Sequence, residues 1–243
     1  MSPVGCCSPG VRGDGVADTL HRIRSFVLRA GRMTESQQRG WDEGWSRFGL
    51  KSEDGPLDWS QAFAQPGRQV VEIGFGMGDS LLAMAQQDPA TNFVGIEVHR
   101  PGVGKLLSGA LAQEVHNLRV YAEDAVDVLE RSIAEDCVDA LHIYFPDPWH
   151  KKRHNKRRLI QSEFVASMIP KLKPSGLLHL ATDWAPYAEQ MLDVLSASPG
   201  LQNTQQDNGY APRPAWRPLT KFEQRGKRLG HGVWDLLFTR TAH

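Results

Sequence analysis

A glycine-rich segment, Glu72–Gly78, has the residue types that a nucleotide-like cofactor requires. It reads Glu-Ile-Gly-Phe-Gly-Met-Gly and follows directly on the apolar run 69–73. Glycines at such a turn let the backbone bend sharply and let a ligand approach closely. The glycines alone are a weak signal, because nicotinamide enzymes carry Gly-x-Gly-x-x-Gly at the same place. The spacing here is instead Gly-x-Gly-x-Gly, and an acid stands two positions before the first glycine.

Three acids, Glu72, Glu97 and Asp124, stand at the carboxyl ends of three successive predicted strands. A carboxylate at Glu97 could accept both ribose hydroxyls of an adenosine, and Asp124 is placed to contact the adenine edge. Any one of these acids could merely cap a helix, but open α/β sheets bind ligands at these strand ends. Asp79 would disfavour a pyrophosphate at the first helix. The pattern therefore favours S-adenosylmethionine.

The loop 145–158 combines a carboxylate, an aromatic ring and cations. Pro146 and Pro148 stiffen the backbone around Asp147, and Trp149 could stack on a base. Six Lys or Arg residues follow within eight positions. Such a run is usually a solvated face or a localisation signal. Beside a methyl-transfer site, it would instead neutralise the phosphates of a nucleic acid.

Alternating apolar runs and helical patterns from residue 68 are typical of βαβ units and a parallel sheet. The runs predict strands at 69–73, 93–96, 118–121, 138–145, 177–181 and 233–238, and a weaker strand near 201–205. Helices are predicted at 101–113, 126–134, 161–172 and 186–195, after a first helix that Asp79 or Ser80 caps and Pro89 closes. Residues 20–50 are basic and aromatic and show no clear strand.

The composition is that of a soluble globular protein of 243 residues, with 40% apolar residues and no net charge. Its three cysteines form no Cys-x-x-Cys pair, so we expect neither a disulfide framework nor a metal site, in keeping with the cytoplasm. No apolar run approaches the roughly 18 residues that cross a membrane. We expect a disordered lead at 1–19, a basic appendage at 20–55 and one catalytic domain at 56–243.

Together these motifs resemble the bacterial tRNA (guanine-N7-)-methyltransferase family. The matching segments are 24–29 with Gly31 and Arg32, 72–78, 95–97, 145–158, 181–184 and 220–226. The resemblance implies a Rossmann-like α/β fold of the class I methyltransferase type. It has about seven strands in a mostly parallel sheet, with helices on both faces. It also implies S-adenosylmethionine as the cofactor, tRNA as the partner and guanine 46 of the variable loop as the target.

The resemblance further implies roles for individual residues. Asp147 is the implied catalytic acid, and the implied cofactor residues are Glu72, Gly74, Gly76, Gly78, Glu97, Asp124 and Asp147. The implied substrate and RNA contacts are Lys151, Arg153, His154, Asn155, Lys156, Arg157, Arg158, Asp183, Thr220, Lys221, Phe222 and Glu223. His150 and His154 could each be a phosphate contact or a solvated side chain.

The implied chemistry agrees with the absence of a catalytic His, Cys or metal motif. Guanine N7 carries no proton and is already a nucleophile, so no strong base is required. Positioning can then remove several kcal/mol of the barrier. Asp147 could stabilise the charge that moves onto the purine, or hold the guanine through its N1 and N2 donors.

Two more basic segments, 22–39 and 213–228, predict one electropositive face with the loop, although scattered surface charge is the simpler alternative. Three other functions stay open: a methyltransferase for a metabolite or a protein, an inactive RNA-binding scaffold and a nicotinamide dehydrogenase. Because the sequence has no heptad or long apolar stripe, we expect a monomer with no obligatory protein partner.

Overall fold

The structure is a computed structural model that describes residues 32–219, 223 and 232–242. Within these residues, the strands are β1 Gly49–Leu50, β2 Arg68–Ile73, β3 Thr91–Ile96, β4 Leu118–Tyr121, β5 Val138–Tyr144, β6 Leu172–Thr182, β7 Leu201–Asn203 and β8 Trp234–Arg240. These eight strands form one sheet in the order β1-β4-β3-β2-β5-β6-β8-β7. Every neighbouring pair is parallel except those that β8 makes with β6 and β7.

Helices lie on both faces of the sheet, as predicted, and each layer has its own apolar core. The helices are α1 Glu35–Phe48, α2 Trp59–Ala62, α3 Asp79–Gln87, α4 Arg100–Ala112, α5 Ala125–Arg131, α6 Ser162–Met168 and α7 Ala185–Ser196. One core joins the sheet to α1, α3 and α4, and the other joins it to α5, α6 and α7. Short 3₁₀ helices cover Ser52–Asp54, Lys152–Arg157 and Ile169–Lys171.

The predicted strands are confirmed, but the boundaries differ around β6. This strand begins at Leu172, five residues before the predicted start at 177, and its register against β5 shifts between Val138 and Ala140. Helix α6 ends at Met168 and continues as a 3₁₀ turn that contains Pro170. Proline has no backbone N–H and therefore tends to end regular helical bonding.

Helix α1 packs closely on α4 through glycine. A Cβ added at Gly40 would lie 2.3 Å from the carbonyl oxygen of Gly104 and 2.6 Å from the Cβ of Ser108. Phe48, the last residue of α1, is completely buried, and β1 then pairs with β4. Residues 35–50 thus cover α4 and extend the sheet, with β1 where no strand was predicted. The expected lead at 1–19 lies outside the described residues.

We expect Gly40→Ala to destabilise the protein by about 1–2 kcal/mol. Alanine favours a helix over glycine by roughly 1 kcal/mol, but overpacking against a backbone oxygen at 2.3 Å should cost about 2–3 kcal/mol, the upper part of the usual range. Urea unfolding gives the free-energy difference. The control is Ser46→Ala on the exposed face of the same helix, which should stabilise slightly. If Gly40→Ala is as stable as this control, the two helices do not pack as closely as described.

Candidate active site

A cavity of about 260 Å³ lies at the carboxyl ends of the parallel strands. It lies where sequence reasoning placed the ligand. Its walls include five of the predicted cofactor residues, namely Gly74, Gly76, Glu97, Asp124 and Asp147. Four successive strand ends, those of β2, β3, β4 and β5, therefore contribute to one site.

The glycine turn forms one wall of this cavity. Gly74 and Gly76 have φ angles of 75° and 58°, and a Cβ added at either would meet nothing within 4 Å. A side chain there would be strained and would project into open space. Gly78 has a different role, because an added Cβ would lie 2.7 Å from the Cβ of Leu106 in α4. Gly78 itself caps α3, so the predicted capping by Asp79 or Ser80 is wrong.

Glu97 and Asp124 already hold the backbone around the cavity. Glu97 accepts hydrogen bonds from the amide of Gly76 at 2.7 Å and from that of His99 at 2.9 Å. Each carboxylate oxygen has two lone pairs, so Glu97 keeps the capacity to accept hydroxyl donors. Asp124 accepts a bond from the amide of Val126 at 3.0 Å and so caps α5. Asp124 therefore both caps a helix and lines the cavity.

Glu72 is buried in β2, with only 2% of its surface exposed. Burial, and then the charge of Glu97, raise the pKa of Glu72 to about 8. Its Oε2 has no hydrogen-bond partner among the described residues. A carboxyl group in this state is neutral at pH 7 and would ionise if a cationic group came close. Unlike Glu97, Glu72 is not part of the cavity wall.

The loop after β5 is held by an arginine that points inward. Arg158 is 4% exposed and donates from Nε to the carbonyl oxygen of Pro148 at 2.8 Å. It also bonds Gln190 at 2.6 Å and lies over the ring of Tyr187. Arg158 therefore fixes the backbone next to Asp147, which is itself exposed.

The other predicted substrate residues divide by exposure. Lys151, Arg153 and Lys156 are exposed, whereas His154, Asn155, Arg157 and Asp183 are half-buried. Thr220, Lys221 and Phe222 lie outside the described residues. Glu223 is buried against Arg217. Because Arg217 and Arg158 are both buried, neither belongs to the expected electropositive face. His150 packs edge-on against Trp184, with ring centres 4.3 Å apart.

The structure contains a buried polar network that the sequence analysis does not predict. His179 of β6 lies between Tyr144 of β5 and Asp235 of β8, at hydrogen-bond distances of 3.0 and 2.8 Å. Arg217 joins the same aspartate. The available signals were two polar residues within otherwise apolar runs, His179 in β6 and Asp235 in β8.

The fold, the glycine turn and the acids at the strand ends define a class I methyltransferase that uses S-adenosylmethionine. The 16S rRNA methyltransferase KamB has a similar fold, with a TM-score of 0.55 and 17% identity over 76% of this chain and 93% of its own. A 16S rRNA (adenine(1408)-N(1))-methyltransferase from Catenulisporales acidiphilia has a TM-score of 0.53 and 16% identity over 79% and 92%. At such identities, the likeness concerns the fold alone.

Sequence comparison then gives the family. Residues 67–236 match the family Methyltransf_4, described as "Putative methyltransferase". A tRNA (guanine-N(7)-)-methyltransferase of Pseudomonas putida F1 is 56% identical over 95% of this chain and 96% of its own length. One from Pseudomonas syringae pv. syringae B728a is 55% identical over 96% and 95%. The chain belongs to the tRNA (guanine-N(7)-)-methyltransferase family.

The stability of the ligand-free protein should fall as the pH rises from about 4.5 to about 8, because Glu72 keeps its proton over this range only in the folded state. The pKa of Glu72 is about 8 in the folded protein and near 4.5 in the unfolded chain. Between these values the folded state binds more protons, so the stabilisation is complete below the lower pKa and is lost toward the higher one. The slope is at most about 1.4 kcal/mol per pH unit.

Glu72→Gln should remove this dependence, because the amide stays neutral throughout. Urea unfolding between pH 5 and 8.5 measures it, with Glu130→Gln at an exposed position of α5 as the matched control. The control should keep the wild-type slope. Identical slopes for the wild type and Glu72→Gln would contradict the burial of a neutral acid.

Proposed function

We propose that this protein transfers the methyl group of S-adenosylmethionine to N7 of guanine 46 in tRNA, which forms 7-methylguanosine. The observation that carries the proposal is the position of Asp147. This aspartate is part of the wall of the cavity, and exposed cations begin four residues later at Lys151. When a nucleotide of the RNA reaches this cavity, its base therefore meets Asp147, while the neighbouring phosphates meet positive charge.

The cofactor, when bound, supplies an electrophilic methyl group on a sulfonium. The residues of the chain bind and orient. Glu97 is placed to accept from hydroxyl donors, and Gly74 and Gly76 leave room for a ligand beside the backbone. Glu72 would give up its proton near a cationic group, which converts a buried neutral acid into a counter-charge.

Asp147 has the chemistry to act on the guanine. Positive charge develops on the purine during N7 methylation, and an exposed carboxylate at the cavity wall can stabilise it. The same carboxylate can accept from the N1 and N2 donors of the base. Arg158 keeps the loop in place through Pro148, so the backbone beside Asp147 is held before the substrate arrives and needs less reorganisation.

The exposed cations supply the RNA contacts. Lys151 precedes the 3₁₀ helix Lys152–Arg157, on which Arg153 and Lys156 are also exposed. Such side chains neutralise phosphates irrespective of sequence and make binding depend on salt. No described helix is long and apolar enough to cross a membrane. The proposal includes a monomer that acts in the cytoplasm.

Asp147→Asn should lower kcat by at least about 100-fold, because it removes the charge that faces the developing cation. The assay uses labelled S-adenosylmethionine and unmodified tRNA, and the digest is examined for 7-methylguanosine. Asp193→Asn, an exposed aspartate on α7, is the matched control and should be fully active. Wild-type turnover by Asp147→Asn would exclude the proposed role. Labelled metabolite or unlabelled tRNA with the wild type would exclude the proposed reaction.

The same substitution at two arginines should separate loop positioning from RNA contact. Arg158→Met removes a buried anchor, and we expect kcat to fall about tenfold or more with little change in the salt dependence. Arg153→Met removes an exposed cation. It should raise KM for tRNA and reduce the slope of log affinity against log salt by about 1. Steady-state rates and tRNA binding at several salt concentrations measure both. The assignment is wrong if the two variants behave alike.

A further inference from the structure

Arg217 is a buried cation in the part of the chain between β7 and β8. It is 1% exposed and holds two carboxylates at once. Nη1 and Nη2 lie 2.6 and 3.2 Å from the carboxylate oxygens of Glu223. Nε and Nη2 lie 2.7 and 2.9 Å from those of Asp235. Both pairs are bidentate, a geometry that guanidinium provides and ammonium does not.

The second carboxylate ties Arg217 to the centre of the sheet. Asp235 also lies 2.8 Å from Nε2 of His179, and Nδ1 of His179 lies 3.0 Å from the hydroxyl of Tyr144. Burial lowers the pKa of His179 despite the neighbouring Asp235. A neutral imidazole can donate to Asp235 and accept from Tyr144, so every member of the chain has a partner. Arg217 is thus fixed relative to β5, β6 and β8.

The guanidinium also touches the cofactor side of the molecule. Its central carbon lies 5.6 Å from the ring centre of Phe145 and 6.0 Å from that of Tyr144. Phe145 and Asp147 are both part of the cavity wall. In the other direction, Arg217 and Glu223 flank residues 220–222 in the sequence. One side chain therefore contacts the loop of Asp147 and the end of the predicted substrate stretch 220–223.

We propose that Arg217 is a positioning residue that fixes Glu223, the last residue of the predicted substrate stretch, relative to the loop 145–147. Glu223 then acts through Arg217, and its carboxylate is used for this ion pair instead of for the substrate. The inference rests on the proposed tRNA methylation, since it concerns the alignment of that substrate. Misalignment by about 1 Å can cost 100-fold in rate.

The test compares Arg217→Lys, Glu223→Gln and the double variant with wild type. Arg217→Lys keeps the charge and loses the bidentate geometry. We expect each single variant to lower kcat with tRNA at least tenfold. The KM for tRNA and the dissociation constant for S-adenosylmethionine should both stay within about twofold of wild type. The double variant should be no slower than the slower single variant, because the two residues act as a unit.

The matched control is Arg240→Lys, which disturbs a partly buried arginine bonded to Asp136 and to the carbonyl oxygen of Leu172. It should lower the unfolding temperature and leave kcat unchanged. Glu223→Asp is a milder variant that keeps the charge, and it carries the test if Arg217→Lys does not fold. Circular dichroism at the assay temperature establishes folding.

Three results would overturn the proposal. The first is a loss of stability with kcat within twofold of wild type, which means that the network only stabilises the fold. The second is an additive loss in the double variant. The third is a rise in KM alone for Glu223→Gln, which means direct substrate contact. A wild-type enzyme that does not methylate tRNA would instead contradict the proposed function, and that outcome is visible before any variant is compared.

Discussion

The close approach of helix α4 to the glycine turn is the constraint on which the cofactor site depends. A Cβ added at Gly102 of α4 would lie 1.9 Å from the carbonyl oxygen of Gly76, and one at Gly78 would meet Leu106. Neither position tolerates a side chain, so the turn and the helix have one relative position. The amide of Gly76 then points to Glu97, and this bond fixes the carboxylate at the end of β3. The shape of the cavity thus follows from backbone packing, before any ligand is bound.

Two buried ionisable residues near this cavity, Glu72 and Arg217, avoid an unpaired buried charge in opposite ways. Glu72 has no compensating cation among its described contacts, so burial raises its pKa and it stays protonated. Arg217 keeps its charge, because two carboxylates bond its guanidinium. The first arrangement leaves a group that can change its charge when a ligand arrives. The second resists change, since removal of one partner would leave a buried charge unpaired. Of the two residues, only Glu72 can therefore change its charge in response to a nearby cation, whereas Arg217 keeps its charge and its position.

Much of this architecture could be predicted from the sequence, because the central strands are continuous apolar runs. The cofactor wall was predictable as well: five implied residues line the cavity, and parallel strand ends must converge. Gly78 and Glu72 could not be separated from them, since a motif reports residue type but not which side chain reaches the cavity. The start of β6 was missed because a turn sequence, 174–176, was accommodated inside the strand by a register shift.

The basic residues also show that residue type alone does not reveal where a side chain lies, and they show the physical reason. In sequence, six cations between 151 and 158 look equivalent, yet Arg158 faces inward and the three lysines face solvent. Both arginines that the structure buries, Arg158 and Arg217, satisfy several acceptors at once through a planar fork. A lysine ammonium is more strongly hydrated and lacks that geometry. Burial therefore selects arginine, while attraction of phosphates accepts either residue. Under the proposed function, the positive charge of this protein thus serves two separable purposes, attraction of RNA at the surface and alignment of the site from within, and an arginine in the sequence does not reveal which of the two it serves.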